Sequence, residues 1–338
     1  VKSAIWILRQ NLHQNETNEI VCCLIFAIEI QYIIEMINRR SFLKAGVTSI
    51  AASLLPNMLY EDSAFRGMFN KFPPLGLQTY TVRFLLNNKT LNTRLVLEQI
   101  ASLGIKELET ATGTLSGLYY GHKPKIFAAM VNDAGMRWVG NHVRGVYPSN
   151  KETGPDGRTN LKDNMKQITD ELAEGGCSWI VCANSAVSTL DDIKRTTEAF
   201  ANTGEAARKR NMRFAYHNHQ SEFNKIDGTS AYEYVLGQTN KDEVFMELDL
   251  AWAVQAGMDP VEMFKQYPGR FPLWHVKDID PATSRPCIIG QGKVNFKQIY
   301  ANSKLSGVQH TFIEQDSATS IVEVEKSVDW LRSNILKS

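Results

Sequence analysis

From about residue 74 onward, apolar and polar positions follow two rhythms that take turns along the chain. Short runs with period-two patterning, rich in β-branched and aromatic residues, predict strands; longer segments with apolar residues three and four apart predict helices. The strand-like runs fall at 75–83, 105–111, 136–143, 178–184, 212–219, 244–250, 272–278 and 310–316. Helix-like segments such as KPKIFAAMVNDAG and NLKDNMKQITDELAEGG separate them, and several close on a glycine just before the next strand, as a helix C-terminus should. Eight strands and eight helices over about 265 residues come close to the ~250 residues typical of a (β/α)8 TIM barrel. A doubly wound open sheet is the rival, but it usually carries a GxGxxG turn after its first strand, and this chain has FLLNNKT there. GQGK at 290–293 lacks that spacing and is weak as a phosphate loop. The pattern predicts an α/β fold, one (β/α)8 barrel spanning residues 70–338.

A barrel of this kind gathers its chemistry where the strands end, because the loops leaving those ends converge on one mouth. Ionisable and polar residues stand there: Glu107 and Glu109 on the second strand, Asn141 and His142 on the third, His217-Asn218-His219 on the fifth. The sixth ends in Glu247 and Asp249, the seventh in His275, Lys277 and Asp278, the eighth in Glu314 and Asp316. Strand starts such as Met212, Val244 and Pro272 are poor in such groups. Side chains alternate along a strand, so Glu247 and Asp249 share a face, and so do His275 and Lys277. A lone strand-end Asp or His is more often a turn or cap residue than a ligand. Converging on one point, carboxylates and imidazoles make an oxygen-and-nitrogen site suited to a divalent Mn, Co, Zn or Mg ion.

Ahead of the barrel, residues 36–58 read MINRRSFLKAGVTSIAASLLPNM. Paired Arg39-Arg40, then Phe42-Leu43, Lys44 and an apolar run resemble a bacterial export signal of the twin-arginine type, over 36–60. The expected location is periplasmic or otherwise exported, with no stable membrane anchor after signal removal. Residues 20–34, IVCCLIFAIEIQYII, are too short and interrupted for a convincing span. Met36 directly precedes the signal, so residues 1–35 read as an upstream translation extension or a disordered segment.

Composition narrows the partners. A formal net charge of +1 on 338 residues argues against nucleic acid. Five scattered cysteines make no disulfide framework and show no CxxC spacing; Cys177 and Cys182 read as small buried hydrophobes. A small molecule is the expected partner, and a homo-oligomer is compatible with the chain.

ELET at 107–110, AYHNHQSEF at 215–223, MELDLAWAVQAGMDP at 246–260, LWHVKD at 273–278, GQGKVNF at 290–296 and FIEQD at 312–316 give the chain a resemblance to the xylose isomerase-like barrels. That family covers sugar and sugar phosphate isomerases and epimerases and, more distantly, endonuclease IV. The resemblance implies a divalent metal held at the ends of strands five to eight, here by His217, Asp249, His275 and Glu314. Many relatives carry glutamate at the position of His217, and in two-base epimerases that glutamate exchanges the substrate proton with the one matching Glu314. The implied catalytic residues are therefore Glu314 and His217, with Glu109, His142, His219, Glu222 and Lys277 available to bind substrate hydroxyls. The implied reaction is proton transfer next to a sugar carbonyl through an enediolate, in an isomerase or epimerase. The alternatives are a keto-sugar or glycoside lyase or hydrolase, and a phosphodiesterase related to endonuclease IV. Trp252, standing where that nuclease has a metal-binding histidine, counts against the last.

Overall fold

The fold is seen in a computed structural model that describes residues 72–336 apart from 89, 113–114 and 150–158. The export-signal and extension readings lie outside the described residues. Eight parallel strands close into a barrel in sequence order: β1 Leu75–Gln78, β2 Glu107–Thr110, β3 Arg137–Arg144, β4 Trp179–Asn184, β5 Arg213–His217, β6 Val244–Asp249, β7 Leu273–Val276 and β8 His310–Ile313. β8 pairs with β1 and shuts the ring. All eight strands predicted from the sequence are present and seven end at or near the expected residues; the first, expected over 75–83, stops at Gln78, and the chain turns helical from Thr79 to Leu86. Among the described residues no helix is long and apolar enough to cross a membrane.

Helices sheathe the barrel, and their ends follow local chemistry. Asn92 and Thr189 cap the helices Thr93–Ser102 and Leu190–Arg208 by accepting first-turn backbone N–H groups. Ser230 and Glu233 form a capping box at the start of Ala231–Gln238. Gly104 and Gly135 follow their helices with φ of +81° and +80°, the left-handed turn that sends the chain into β2 and β3.

Inside the ring the side chains lie in layers. The floor is polar: Glu107 accepts from Arg137 and sits 2.7 Å from His310 Nδ1. Glu107 thus opens β2 and belongs to the barrel floor, which corrects its assignment to the strand end. Arg137, Arg213 and His310 also show that the strand starts are not poor in charge. Above the floor comes a dry layer of Val139, Trp179, Val181, Ala215, Leu273 and Phe312. The mouth residues stand on this layer, shut off from solvent below.

One register shift decides what reaches the mouth. Leu108 pairs with Trp138, but Glu109 pairs with Gly140. The bulge at Val139 reverses the parity of the rest of β3. It turns His142 into the barrel, and leaves Asn141 outside to accept from Thr110 Oγ1 and the Thr112 N–H.

Phe312 fits the dry layer because its neighbour on β1 is Gly76. A Cβ there would lie 2.5 Å from the phenyl ring and 2.8 Å from the Thr311 carbonyl oxygen. Gly76→Ala is expected to cost about 1–3 kcal/mol by overpacking. Phe312→Leu in the same chain should recover part of that, as read by urea unfolding of both single variants and the double variant.

Candidate active site

The strand-five triplet places three residues in three different roles. His217 is buried, on the inner face of β5. Asn218 turns outward and accepts the backbone N–H of Asp249 at 3.0 Å, tying the end of β5 to the end of β6. His219 stands at the rim, partly exposed, with its backbone N–H held by Glu222 Oε2 at 3.0 Å.

Two buried carboxylates organise the imidazoles beneath the mouth. Glu247 Oε2 lies 2.8 Å from His142 Nε2, 3.1 Å from His217 Nδ1 and 3.1 Å from His275 Nε2. Glu109 Oε2 lies 2.9 Å from His142 Nε2 and 2.7 Å from His275 Nε2, and accepts from Gln78 Nε2 at 2.7 Å. Carboxylates on the far side of a histidine ring fix its orientation and tautomer, as metal-ligating histidines require. With Nδ1 on Glu247, His217 keeps Nε2 for a ligand; with Nε2 on Glu109, His275 turns Nδ1 toward the mouth.

The mouth-side nitrogen of His275 is 2.7 Å from Glu314 Oε2. Asp249 divides its two oxygens. Oδ1 accepts the Trp252 N–H and caps the helix Leu250–Gln255, while Oδ2 is buried with no aligned hydrogen bond. One donor atom each from His217, Asp249, His275 and Glu314 lies within 4.8 Å of the others, and His142, His217, Glu247 and His275 make an overlapping group. Lys277, nearly fully buried, reaches Asp249 Oδ2 at 2.9 Å, Glu314 Oε2 at 2.8 Å and Asp316 Oδ2 at 2.8 Å.

Burial and neighbouring charge set the protonation. Burial opposes ionisation of Glu314, but Lys277 and His275 override it and hold the carboxyl well below its usual range. Burial and the surrounding cations push His217 well below the ordinary imidazole value, so it is neutral. Burial also disfavours charge on His142, yet Glu109 and Glu247 raise it to about 9. Burial, then repulsion from Glu109, raises Glu247.

The site opens into a cavity of about 490 Å³ whose lining includes Tyr80, Tyr120, His142, His217, His219, Glu314 and Asp316. That size suits a small organic ligand. Of the residues expected to bind substrate, His142 and His219 line it. Glu109 lies beneath, engaged with imidazoles, and Glu222 is buried in its own turn, accepting from His219 N–H and Ser221 Oγ. Lys277 joins the carboxylate cluster. Asp278 faces away: its carboxylate accepts the backbone N–H groups of Ile279, Gly290, Gly292 and Val294. The sequence placed Glu247 at the mouth on the face of Asp249 but gave no sign that it anchors three imidazoles, nor of the structural role of Gln78.

The model of the xylose isomerase-like TIM barrel family matches residues 97–334. The chain belongs to that family. The crystal structure of a sugar phosphate isomerase/epimerase from Parabacteroides distasonis is 29% identical, with a TM-score of 0.65, and the likeness covers 79% of this chain and 96% of that one. An inosose dehydratase of Lacticaseibacillus casei is 25% identical over 150 residues, 38% of this chain and 50% of the relative. The chain thus spans about half the length of the curated relatives it matches. The IOLI protein, solved with a zinc atom, is 15% identical with a TM-score of 0.60 over 77% of this chain and 95% of that one; it shares the fold.

The raised His142 gives a pH signature. A group whose folded value exceeds its unfolded one stabilises fully below the unfolded value and loses that contribution as pH rises through the folded one. In metal-free protein the stability gap between the native chain and His142→Gln should be widest below about pH 6.5 and close as pH passes about 9. Denaturant unfolding across that range checks it; a gap that ignores pH would show that His142 contributes by packing alone.

Proposed function

We propose that the protein is a divalent-metal-dependent enzyme that removes the proton next to a sugar carbonyl. The observation that carries this reading is the convergence of His217, Asp249, His275 and Glu314 donor atoms within 4.8 Å beside the cavity. The donor set fits such an ion: two imidazoles already oriented by carboxylates, and two carboxylates, one with a buried oxygen lacking an aligned partner. An ion there would supply Lewis acidity, favouring negative charge on the carbonyl oxygen as the neighbouring proton leaves.

The chain's own residues divide the remaining work. Glu314, kept ionised, is the group to take the α-proton. Neutral His217 holds its Nε2 toward the same space. Lys277, beside the same carboxylates, supplies positive charge near the enediolate. His142 and His219, on the cavity wall, are placed for substrate hydroxyls, and Tyr80 and Tyr120 offer ring faces to a sugar.

Histidine at the end of β5 leaves one carboxylate, not two, to exchange a substrate proton. That favours a single-base course in which the proton loss is followed by elimination of a β-substituent, and the curated relatives named as inosose dehydratases support it. Isomerisation, with the proton returned by the same base, is the second reading, supported by the name of the Parabacteroides relative.

Asp249→Asn and Glu314→Gln are expected to lose bound divalent ion by metal analysis. Incubated with Mn or Co in deuterated water, the native enzyme should place deuterium at the carbon beside the carbonyl of a keto-sugar, and Glu314→Gln should slow this by at least ~100-fold. Active substrates that never acquire deuterium would sink the proton-transfer reading.

The segment around Arg39-Arg40 adds the proposal that the enzyme works outside the cytoplasm, on sugars that are not phosphorylated. Replacing both arginines by lysine should then retain the chain in the cytoplasmic fraction of a bacterium with twin-arginine export; unchanged fractionation would remove this part.

A further inference from the structure

Lys277 occupies an unusual position for a lysine. Its ammonium is nearly fully buried and lies 2.8–2.9 Å from three carboxylates, Asp249, Glu314 and Asp316. The indole of Trp252, 5.2 Å away, covers it with a ring face. Two of the three carboxylates belong to the candidate metal cluster, and the third does not. An ammonium and a divalent ion would therefore compete for Asp249 and Glu314, because both neutralise the same oxygens.

We infer that Lys277 is a positioning residue that holds the metal carboxylates together in the metal-free protein and yields them by transferring its charge to Asp316. This rests on the metal reading given above. The charge count supports the exchange. In the metal-free state the Lys277 ammonium, and the His275 ring beside Glu314, face three carboxylates, which leaves negative charge in excess. With a divalent ion on Asp249 and Glu314, those two carboxylates are neutralised, and Lys277 and Asp316 form a second neutral pair. Asp316 suits the receiving role because it is the only one of the three with substantial exposure, 35% of its side chain. It also lines the cavity, so the displaced ammonium stays on the wall of the site. Lys277 follows directly on the last residue of β7 and meets Glu314 from the same side as His275, so a short swing of the side chain is enough.

The consequence is a pair of opposite effects. Removing the competitor with Lys277→Met, which keeps the stem's length and apolar contacts, should tighten binding of Mn or Co, by about tenfold or more for a unit charge at this range. Removing the receiving carboxylate with Asp316→Asn leaves the ammonium only Asp249 and Glu314, so binding should weaken. A purely supporting role for the two residues would make both variants bind more weakly.

Titration calorimetry of the full chain with manganese chloride, repeated with cobalt chloride, reads both affinities, and the thermal midpoint with and without metal gives a second measure. Lys277→Met should have a lowered midpoint without metal and a larger rise on adding it than the native protein. Tighter binding in Lys277→Met with weaker binding in Asp316→Asn supports the exchange. Equal or weaker binding in Lys277→Met, with native binding still abolished by Asp249→Asn, overturns the exchange and leaves the metal reading standing. Native protein that binds neither ion, or binds it unaffected by Asp249→Asn and Glu314→Gln, removes the metal reading and this inference with it.

Discussion

Burying carboxylates side by side is costly unless each is paired, and this constraint shapes the whole mouth. Glu109 and Glu247 share His142 and His275 on a layer that water does not reach from below. Their demand for donors fixes which nitrogen each imidazole turns downward, and therefore which nitrogen it presents above. Asp249, Glu314 and Asp316 repeat the problem one level higher, with Lys277 as the cation. The site is thus a stack of two charge clusters, each holding the other's side chains in place.

The barrel supports that stack by separating its functions along the axis. The Phe312 layer needs a glycine opposite it at position 76, and the polar floor around Glu107 is isolated from the mouth by that layer. Outward-facing residues do quieter work: Asn218 pins β6 to β5, and Asn141 orders the loop after β2. Asp249 shows that a capping role and a ligand role are not alternatives, since its two oxygens can serve one each.

The architecture was legible in the sequence because strand and helix periods differ sharply and polar residues collect at the strand ends. Within the mouth, legibility depended on parity. Where strands are regular, as at Glu247 and Asp249 or His275 and Lys277, alternation alone predicts the shared face. It fails on β3, because a bulge leaves no local mark in WVGNHV that tells which of Asn141 and His142 turns inward. It also cannot tell a strand's first residue from its last in a four-residue strand, which is why Glu107 looked like a mouth group. Glu222 carried the right chemistry, but its turn folds the carboxylate back on its own backbone.

The loop after β7 carries a further consequence. Its segment Gly290-Gln291-Gly292-Lys293-Val294 directs three backbone N–H groups at one point, and Asp278 fills that point with a carboxylate from the same chain. A Cβ on Gly292 would collide with that carboxylate at 2.2 Å, so loop and acid are fitted to one another. Such a nest of amides is the ordinary backbone receptor for a phosphate. Here it is already satisfied internally, so a phosphorylated ligand would have to displace a covalently tethered anion to use it.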